Sequence, residues 1–228
     1  MKFTVLTLFP EMFVGPFDYS IINNAKRNGL IEIDFIDIRD FGEGKHKMVD
    51  DTEYGGGVGM VMKVDVLHKA IESAKCKNKL NCRENTILLS ATGKTFVQKI
   101  AKKYSTLDHL IIICGHYEGV DERIKKYIDD EISIGDFVLT GGEIPAMLLI
   151  DSVSRLVNDV LPEGAAEDES FSEIEGKTLL EYPHYTKPQN YRSDQVPDIL
   201  LSGNHPKIKE WRKQKALIIT KKLRPDLM

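Results

Sequence analysis

The sequence has 228 residues, of which 42% are hydrophobic, 29% charged and 8% aromatic. This apolar content is enough to bury a core, which excludes intrinsic disorder as the dominant state. The longest apolar run, residues 144–150, is far shorter than the roughly 20 residues of a transmembrane helix, so no membrane span is predicted. Pro10 and Glu11 interrupt the apolar start of the chain, and no small-residue cleavage site follows, so we predict no signal peptide.

The net charge of −4 hides an asymmetry along the chain. Residues 207–228 carry eight Lys or Arg against Glu210 and Asp226, a net charge of +6, which leaves −10 for the remainder. Residues 163–175 contain six acidic residues and no basic one. An acidic stretch followed by a basic end predicts separate roles for the two segments.

The first part of the chain alternates between strand and helix patterns. In chain order, the predicted elements are a strand at 3–9, a helix at 20–28, a strand at 31–38, a long loop at 40–60, a helix at 64–75, a strand at 87–89, a helix at 95–104, a strand at 110–114, a helix at 121–128, a strand at 132–134 and a helix at 144–157. Such alternation predicts an α/β layer structure with a mainly parallel sheet.

The last part of the chain has a different character. Residues 161–175 show no clear period and are predicted to be an acidic linker. Beyond it, residues 207–222 have apolar positions at Ile208, Trp211 and Ile218, which predicts an amphipathic helix. We therefore expect a large domain at 1–160, the linker, and a small, mostly helical domain at 176–228.

The cysteines and histidines follow no familiar metal or disulfide pattern. Cys76, Cys82 and Cys114 have spacings that match neither a zinc motif nor a disulfide framework. The six histidines form no metal-ligand pattern. The sequence therefore predicts a reduced, cytoplasmic protein without a metal site.

Glycine-containing loops follow three successive predicted strands. They are Ser-Ala-Thr-Gly at 90–93, Gly-His-Tyr-Glu-Gly at 115–119 and Gly-Asp-Phe-Val-Leu-Thr-Gly-Gly at 135–142. In open α/β sheets ligands bind beyond the carboxyl ends of the strands, so three such loops favour a ligand site over three ordinary turns. No G-x-G-x-x-G or phosphate-loop motif is present. The residues alone thus predict an α/β enzyme with an unusual nucleotide-like pocket.

These loops belong to a set of motifs that spans nearly the whole chain. The set consists of Leu-Thr-Leu-Phe-Pro-Glu-Met-Phe at 6–13, Val-Asp-Asp at 49–51, Tyr-Gly-Gly-Gly-Val-Gly-Met at 54–60, Cys-Gly-His-Tyr-Glu-Gly-Val-Asp-Glu-Arg at 114–123, Ser-Ile-Gly-Asp-Phe-Val-Leu-Thr-Gly-Gly-Glu-Ile-Pro at 133–145, Pro-His-Tyr-Thr-Lys-Pro at 183–188 and Trp-Arg at 211–212. With these motifs the sequence closely resembles the bacterial tRNA (guanine-N1)-methyltransferases of the SPOUT superfamily.

The resemblance implies properties that periodicity does not reveal. The first domain would be a SPOUT-type deep trefoil knot, a topology too rare for pattern arguments to propose. The protein would be a homodimer with the active site completed by the partner subunit. It would transfer a methyl group from S-adenosylmethionine to N1 of the guanosine on the 3′ side of the anticodon in tRNA.

Guanine N1 carries a proton, so its methylation needs a general base and a group that stabilises charge on O6. The resemblance places the base directly before the Ser-Phe pair at 170–171, which here is Glu169 where many relatives have Asp, with Asp168 as the alternative. Arg155 matches the family's arginine proposed to stabilise O6. From the residues alone, a solvated acidic segment and an intrahelical ion pair between Arg155 and Asp151 are the favoured explanations of these groups.

The same resemblance assigns a binding site for the methyl donor. The predicted donor-site residues are Leu88, Leu89, Ser90, Gly115, Tyr117, Glu118, Gly119, Ser133, Ile134, Gly135, Asp136, Phe137, Val138, Leu139, Gly141 and Gly142. Asp50, Asp51 and the glycine loop at 54–60 are expected to shape the guanine site. Magnesium is implied by the family alone. The basic segment at 207–228 is expected to contact the tRNA backbone.

Two other functions compete with this one. A SPOUT methyltransferase that acts on another RNA position, such as a ribose hydroxyl, would have the same donor loops. A non-catalytic RNA-binding relative would keep the fold and the ligand site. The complete donor loops together with Arg155 and the acidic residues at 168–169 weigh against the non-catalytic relative.

Overall fold

The computed structural model describes residues 1–76, 82–166, 169–174 and 176–228. The chain forms two compact units, residues 1–161 and residues 162–228. Within the described ranges, no helix has the length and apolar character needed to cross a bilayer.

The first unit is built on a five-stranded sheet. Its elements are β1 (Lys2–Thr7), α1 (Ser20–Arg27), β2 (Glu32–Asp37), β3 (Asp50–Asp51), β4 (Val61–Met62), α2 (Val64–Ala74), β5 (Glu84–Thr95), α3 (Gln98–Ser105), β6 (His109–Cys114), β7 (Asp130–Ser133) and α4 (Glu143–Ser154). The strands of the main sheet are parallel, in the order β2-β1-β6-β5-β7. The predicted α/β class is confirmed.

The core lies on both faces of this sheet, and β6 shows why. All six of its residues are buried, as the uninterrupted apolar run predicts for a strand covered on both faces. Leu110 and Ile112 belong to the cluster that includes apolar residues of α1, α3 and α4. Ile111 and Ile113 belong to the opposite cluster, which includes those of α2. The sheet is therefore a rigid central layer whose strand ends hold the loops in place.

Some element bounds differ from the predicted ones. β5 continues past the glycine loop at 90–93, because Lys94 and Thr95 pair with β7 after a shift in register. The helix predicted at 95–104 consequently begins only at Gln98. The helix predicted at 121–128 is a 3-10 helix, Glu122–Tyr127, in which Ile124 alone is buried, so little packing energy favours a full α-helix there.

The prediction that all cysteines are reduced is wrong for one pair, because the structure joins Cys76 and Cys82 in a disulfide. Cys76 follows α2 and Cys82 precedes β5, and the packing of these elements brings the two Cα atoms to 6.6 Å from each other. Cys114 is a free, buried cysteine. Tertiary packing, which sequence spacing does not report, accounts for the difference.

The second unit contains short strands and one long helix. Its elements are β8 (Ser172–Ile174), β9 (Lys177–Leu179), β10 (Asn190–Tyr191), β11 (Asp194–Gln195), α5 (Asp198–Leu201) and α6 (His205–Leu223). β8 pairs with β9 and β10 with β11, both antiparallel. β8 lies inside the segment predicted as a linker, so part of that segment is paired backbone.

Helix α6 contains the predicted helix at 207–222. The Asn204 side chain caps its first turn by accepting a hydrogen bond from the Lys207 N–H. The buried residues of α6 are Ala216 and Thr220, whereas Ile218 is 60% exposed, so the predicted apolar face is wrong at that position. The Thr220 hydroxyl accepts a hydrogen bond from the Leu180 N–H at 2.8 Å, which explains why a polar residue is buried there.

Candidate active site

A cavity of about 360 Å³ lies where β5, β6 and β7 end. This volume lies within the range of about 300–1,000 Å³ found for small-molecule sites. Its walls come from residues 88–92, 115–120, 132–135, 137–142 and 145. All predicted donor-site residues except the exposed Asp136 therefore surround one cavity.

The loops around the cavity are held together through their main chains. The Gly142 N–H donates a hydrogen bond to the Gly115 carbonyl at 2.9 Å, which joins the loop after β7 to the loop after β6. A Cβ atom on Gly142 would lie 2.6 Å from the Cα of Cys114, closer than side-chain carbons approach a backbone. The close approach of these two loops therefore requires glycine at this position.

A network of hydrogen-bonded polar side chains lies next to the cavity. The Nε2 atom of His116 lies 2.7 Å from one carboxylate oxygen of Glu143, whose other oxygen accepts a 2.6 Å hydrogen bond from Thr7. Glu143 is 1% exposed and is the first residue of α4, where the helix dipole favours a negative charge. His116 lines the cavity, so this network fixes the orientation of a ring that a bound molecule would meet.

Sequence reasoning missed this network, because it tested the histidines only for metal-ligand spacing. An available signal was Glu143, an acidic residue at the start of an otherwise apolar helical segment. Such a residue either caps the helix or is buried with a partner, and the structure shows the second arrangement for Glu143.

The glycine loop at 54–60 lies beside the same cavity. The Glu118 N–H donates to the Met60 carbonyl at 3.0 Å, and the Met62 N–H donates to the Gly119 carbonyl at 3.0 Å. Burial raises the pKa of Tyr117, and the nearby negative charge of Asp50 raises it further. Both effects favour the uncharged phenol of Tyr117 at the edge of the cavity.

The predicted catalytic residues lie on different parts of the chain. Arg155 directly follows α4, and its N–H donates to the Asp151 carbonyl at 3.3 Å. Glu169 belongs to the second unit, and its carbonyl accepts a hydrogen bond from the Ser172 N–H at 3.0 Å. Asp168 lies outside the described residues. Their catalytic roles stay predictions.

A group of side chains with the arrangement of metal ligands lies away from the cavity. Among the described residues, the one group of three or more candidate ligands within bonding reach of a common ion is Cys76, Cys82, Glu84 and His109. None of these residues lines the cavity at the strand ends. The magnesium implied by the family resemblance stays a prediction, and no catalytic step is assigned to a metal.

Comparison with known proteins places the chain in a family. Residues 1–228 match the family described as tRNA (Guanine-1)-methyltransferase TrmD. Among similar proteins, the tRNA (guanine-N(1)-)-methyltransferase of Carboxydothermus hydrogenoformans is 54% identical over 230 residues, covering 100% of this chain and 87% of the relative. The enzymes of the same name from Desulforamulus reducens and Dictyoglomus turgidum are 49% and 52% identical, with 100% of this chain covered and 89% and 90% of the relatives. Because the match extends over every residue, the chain belongs to the tRNA (guanine-1)-methyltransferase family.

Proposed function

We propose that the protein is a tRNA methyltransferase that transfers a methyl group from S-adenosylmethionine to N1 of the guanosine on the 3′ side of the anticodon. One observation carries the proposal. In a chain that belongs to this family over its whole length, the loops after three neighbouring strands surround a single cavity of small-molecule size.

The chemistry of the cavity fits the proposed methyl donor. Leu88, Leu139 and Pro145 supply apolar wall, which suits the flat faces of an adenine ring. The glycine-containing loops expose main-chain N–H and C=O groups, which suit the edge of the base and the ribose hydroxyls. The Glu118 carboxylate at the rim suits a positively charged amino or sulfonium group.

Bound S-adenosylmethionine would supply an electrophilic methyl group, which N1 takes up while the electron pair of the broken C–S bond stays on sulfur. The protein's own task is to place guanine in line with that methyl group and to manage one proton. We assign removal of the N1 proton to the carboxylate of Glu169, with Asp168 as the alternative. The guanidinium of Arg155 would stabilise the negative charge that then develops on O6.

We further propose a SPOUT-type trefoil knot and a homodimer. The knot is supported by the family match over the whole chain together with the parallel sheet order β2-β1-β6-β5-β7. The dimer is supported by Ile144 and Leu148, which lie one turn apart on α4 and are 53% and 44% exposed, although the opposite side of that helix is already buried. A second copy of the chain that covers this apolar face would complete the active site. We place the protein in the cytoplasm, where tRNA is found.

The test is incubation of the full-length protein with methyl-labelled S-adenosylmethionine and an unmodified tRNA transcript that has G after the anticodon. Label recovered in N1-methylguanosine is the expected result. Label in another nucleoside would identify a different RNA methyltransferase. Absence of label at saturating donor would overturn the catalytic proposal in favour of an RNA-binding role.

Lys207 and Lys209 are exposed on α6 and are expected to contact tRNA phosphates. Replacing both with Gln should weaken tRNA binding and make the dependence of log Kd on log salt shallower by about 0.7–0.9 for each phosphate that is no longer neutralised. Filter binding at several salt concentrations measures this slope. The matched control is Lys99→Gln with Lys102→Gln on α3, which are also exposed. An identical slope in both double variants would contradict a phosphate-binding role for α6.

A further inference from the structure

A second polar cluster lies at the opposite end of the main sheet from the donor cavity. Glu84 is the first residue of β5 and His109 the first residue of β6, and the two are register partners on neighbouring strands. Cys76 and Cys82 lie beside them, one after α2 and one before β5. One candidate ligand atom from each of the four side chains lies within 4.8 Å of the others.

The cluster is largely closed to solvent. The side chains of His109 and Glu84 are 3% and 15% exposed, and His109 Nδ1 lies 2.9 Å from Glu84 Oε2 and 3.5 Å from Cys76 Sγ. The partly buried Glu84 carboxylate and the buried His109 imidazole thus present an oxygen and a ring nitrogen to two sulfurs at one point that is screened from solvent. Two sulfurs, one imidazole nitrogen and one carboxylate oxygen are the ligand types of tetrahedral zinc sites.

The surroundings of His109 fit a metal ligand as well. Its Nε2 atom lies 2.8 Å from the Thr4 hydroxyl, so an Nε2–H can donate to that oxygen and leave the Nδ1 lone pair directed at the cluster. Metal-binding histidines are held in this way by a hydrogen bond from the other ring nitrogen. The Glu84 carboxylate is likewise oriented by the Cys76 N–H at 2.7 Å.

We propose that Cys76, Cys82, Glu84 and His109 bind one zinc ion when the bond between Cys76 and Cys82 is reduced. A phosphine reductant supplies the two electrons and becomes the phosphine oxide, while water supplies the oxygen of that oxide and the two protons of the resulting thiols. Zinc binding then displaces one proton from each thiol, and the thiolates, the carboxylate and the neutral imidazole fill the four positions. With all four positions filled by protein, the ion joins the end of α2 to the starts of β5 and β6 and has a structural role.

The test uses the full-length protein, reduced with a phosphine in metal-free buffer and titrated with Co²⁺ alone. We expect a single equivalent to produce sulfur-to-cobalt charge transfer and the intense visible bands of tetrahedral Co²⁺, with displacement by Zn²⁺ and release of protons. Thermal denaturation should show a higher Tm with Zn²⁺ than without it. A weak spectrum of six-coordinate cobalt, or equal binding by the oxidised and reduced protein, would overturn the proposal.

Variants separate ligand loss from general damage. Thr4→Val removes only the hydrogen bond that orients His109, so it should weaken Co²⁺ binding by about 10–100-fold. Cys82→Ser removes a ligand itself and should weaken Co²⁺ binding by more than about 100-fold. The matched control is Cys114→Ala, because Cys114 is buried outside the cluster, where burial raises the pKa of its thiol. Cobalt spectra of Cys82→Ser that equal those of Cys114→Ala would show that the sulfurs are not ligands.

Discussion

Replacing Glu169 with Gln should lower the rate of N1 methylation by about 10²–10⁴-fold, the usual contribution of a general base. Gln keeps the size and hydrogen-bonding capacity of the side chain but cannot accept the N1 proton at neutral pH. Because the base acts on guanine, the affinity for S-adenosylmethionine should stay unchanged. Single-turnover kinetics measure the chemical step, and calorimetry measures donor binding.

The matched control for this variant is Glu163→Gln, which removes an exposed carboxylate from the same acidic segment. It should leave the single-turnover rate within about twofold of the original, because an exposed surface charge contributes little. A near-normal rate for Glu169→Gln would exclude Glu169 as the base. In that case Asp168→Asn should cause the loss instead.

Replacing Gly142 with Ala should lower the affinity for S-adenosylmethionine by about 10–100-fold. The new Cβ would lie 2.6 Å from the Cα of Cys114 and 2.9 Å from the N of Gly115, and main-chain atoms cannot rotate away as a side chain can. Overpacking of this kind costs about 1–3 kcal/mol. The backbone would have to shift to make room for the Cβ, and this shift would move the cavity wall and break the hydrogen bond from the Gly142 N–H to the Gly115 carbonyl. Equilibrium dialysis with labelled donor measures the change.

Gly57→Ala is the control for this experiment. A Cβ on Gly57 meets only the far end of the Glu53 side chain, which is exposed and free to move aside. Its donor affinity should stay within about twofold of the original. If Gly142→Ala remains folded by circular dichroism and binds the donor normally, this cavity is not the donor site.

Much of the cavity at the strand ends could be predicted from local sequence. Apolar runs such as residues 110–114 indicate buried parallel strands, and the carboxyl ends of parallel strands meet at one edge of a sheet. Glycine loops that follow three such strands therefore predict a shared site, and the structure brings the loops together. The proposed catalytic base comes only from the family resemblance, because an acidic segment has no period that distinguishes a reactive carboxylate from a solvated one.

Other features depend on contacts between residues far apart in the chain. His116, Glu143 and Thr7 meet because α4 begins beside β1 and the end of β6, and no spacing rule connects these positions. Ile218 likewise has the spacing expected for the apolar face of a helix, but its side chain is exposed. Periodicity reports that a segment has an apolar side, whereas the partner that covers that side is chosen by packing across the whole unit.

The sequence by itself determined the α/β class, the alternation of strands and helices, and the position of the glycine loops, because these depend on periodicity and on local backbone freedom. The tertiary structure alone decided the strand order, the continuation of β5 past its loop and the meeting of Cys76, Cys82, Glu84 and His109. The physical reason is that strand pairing depends on hydrogen bonds and core packing between distant segments. Glu84 and His109 become neighbours only when β5 and β6 pair in this register.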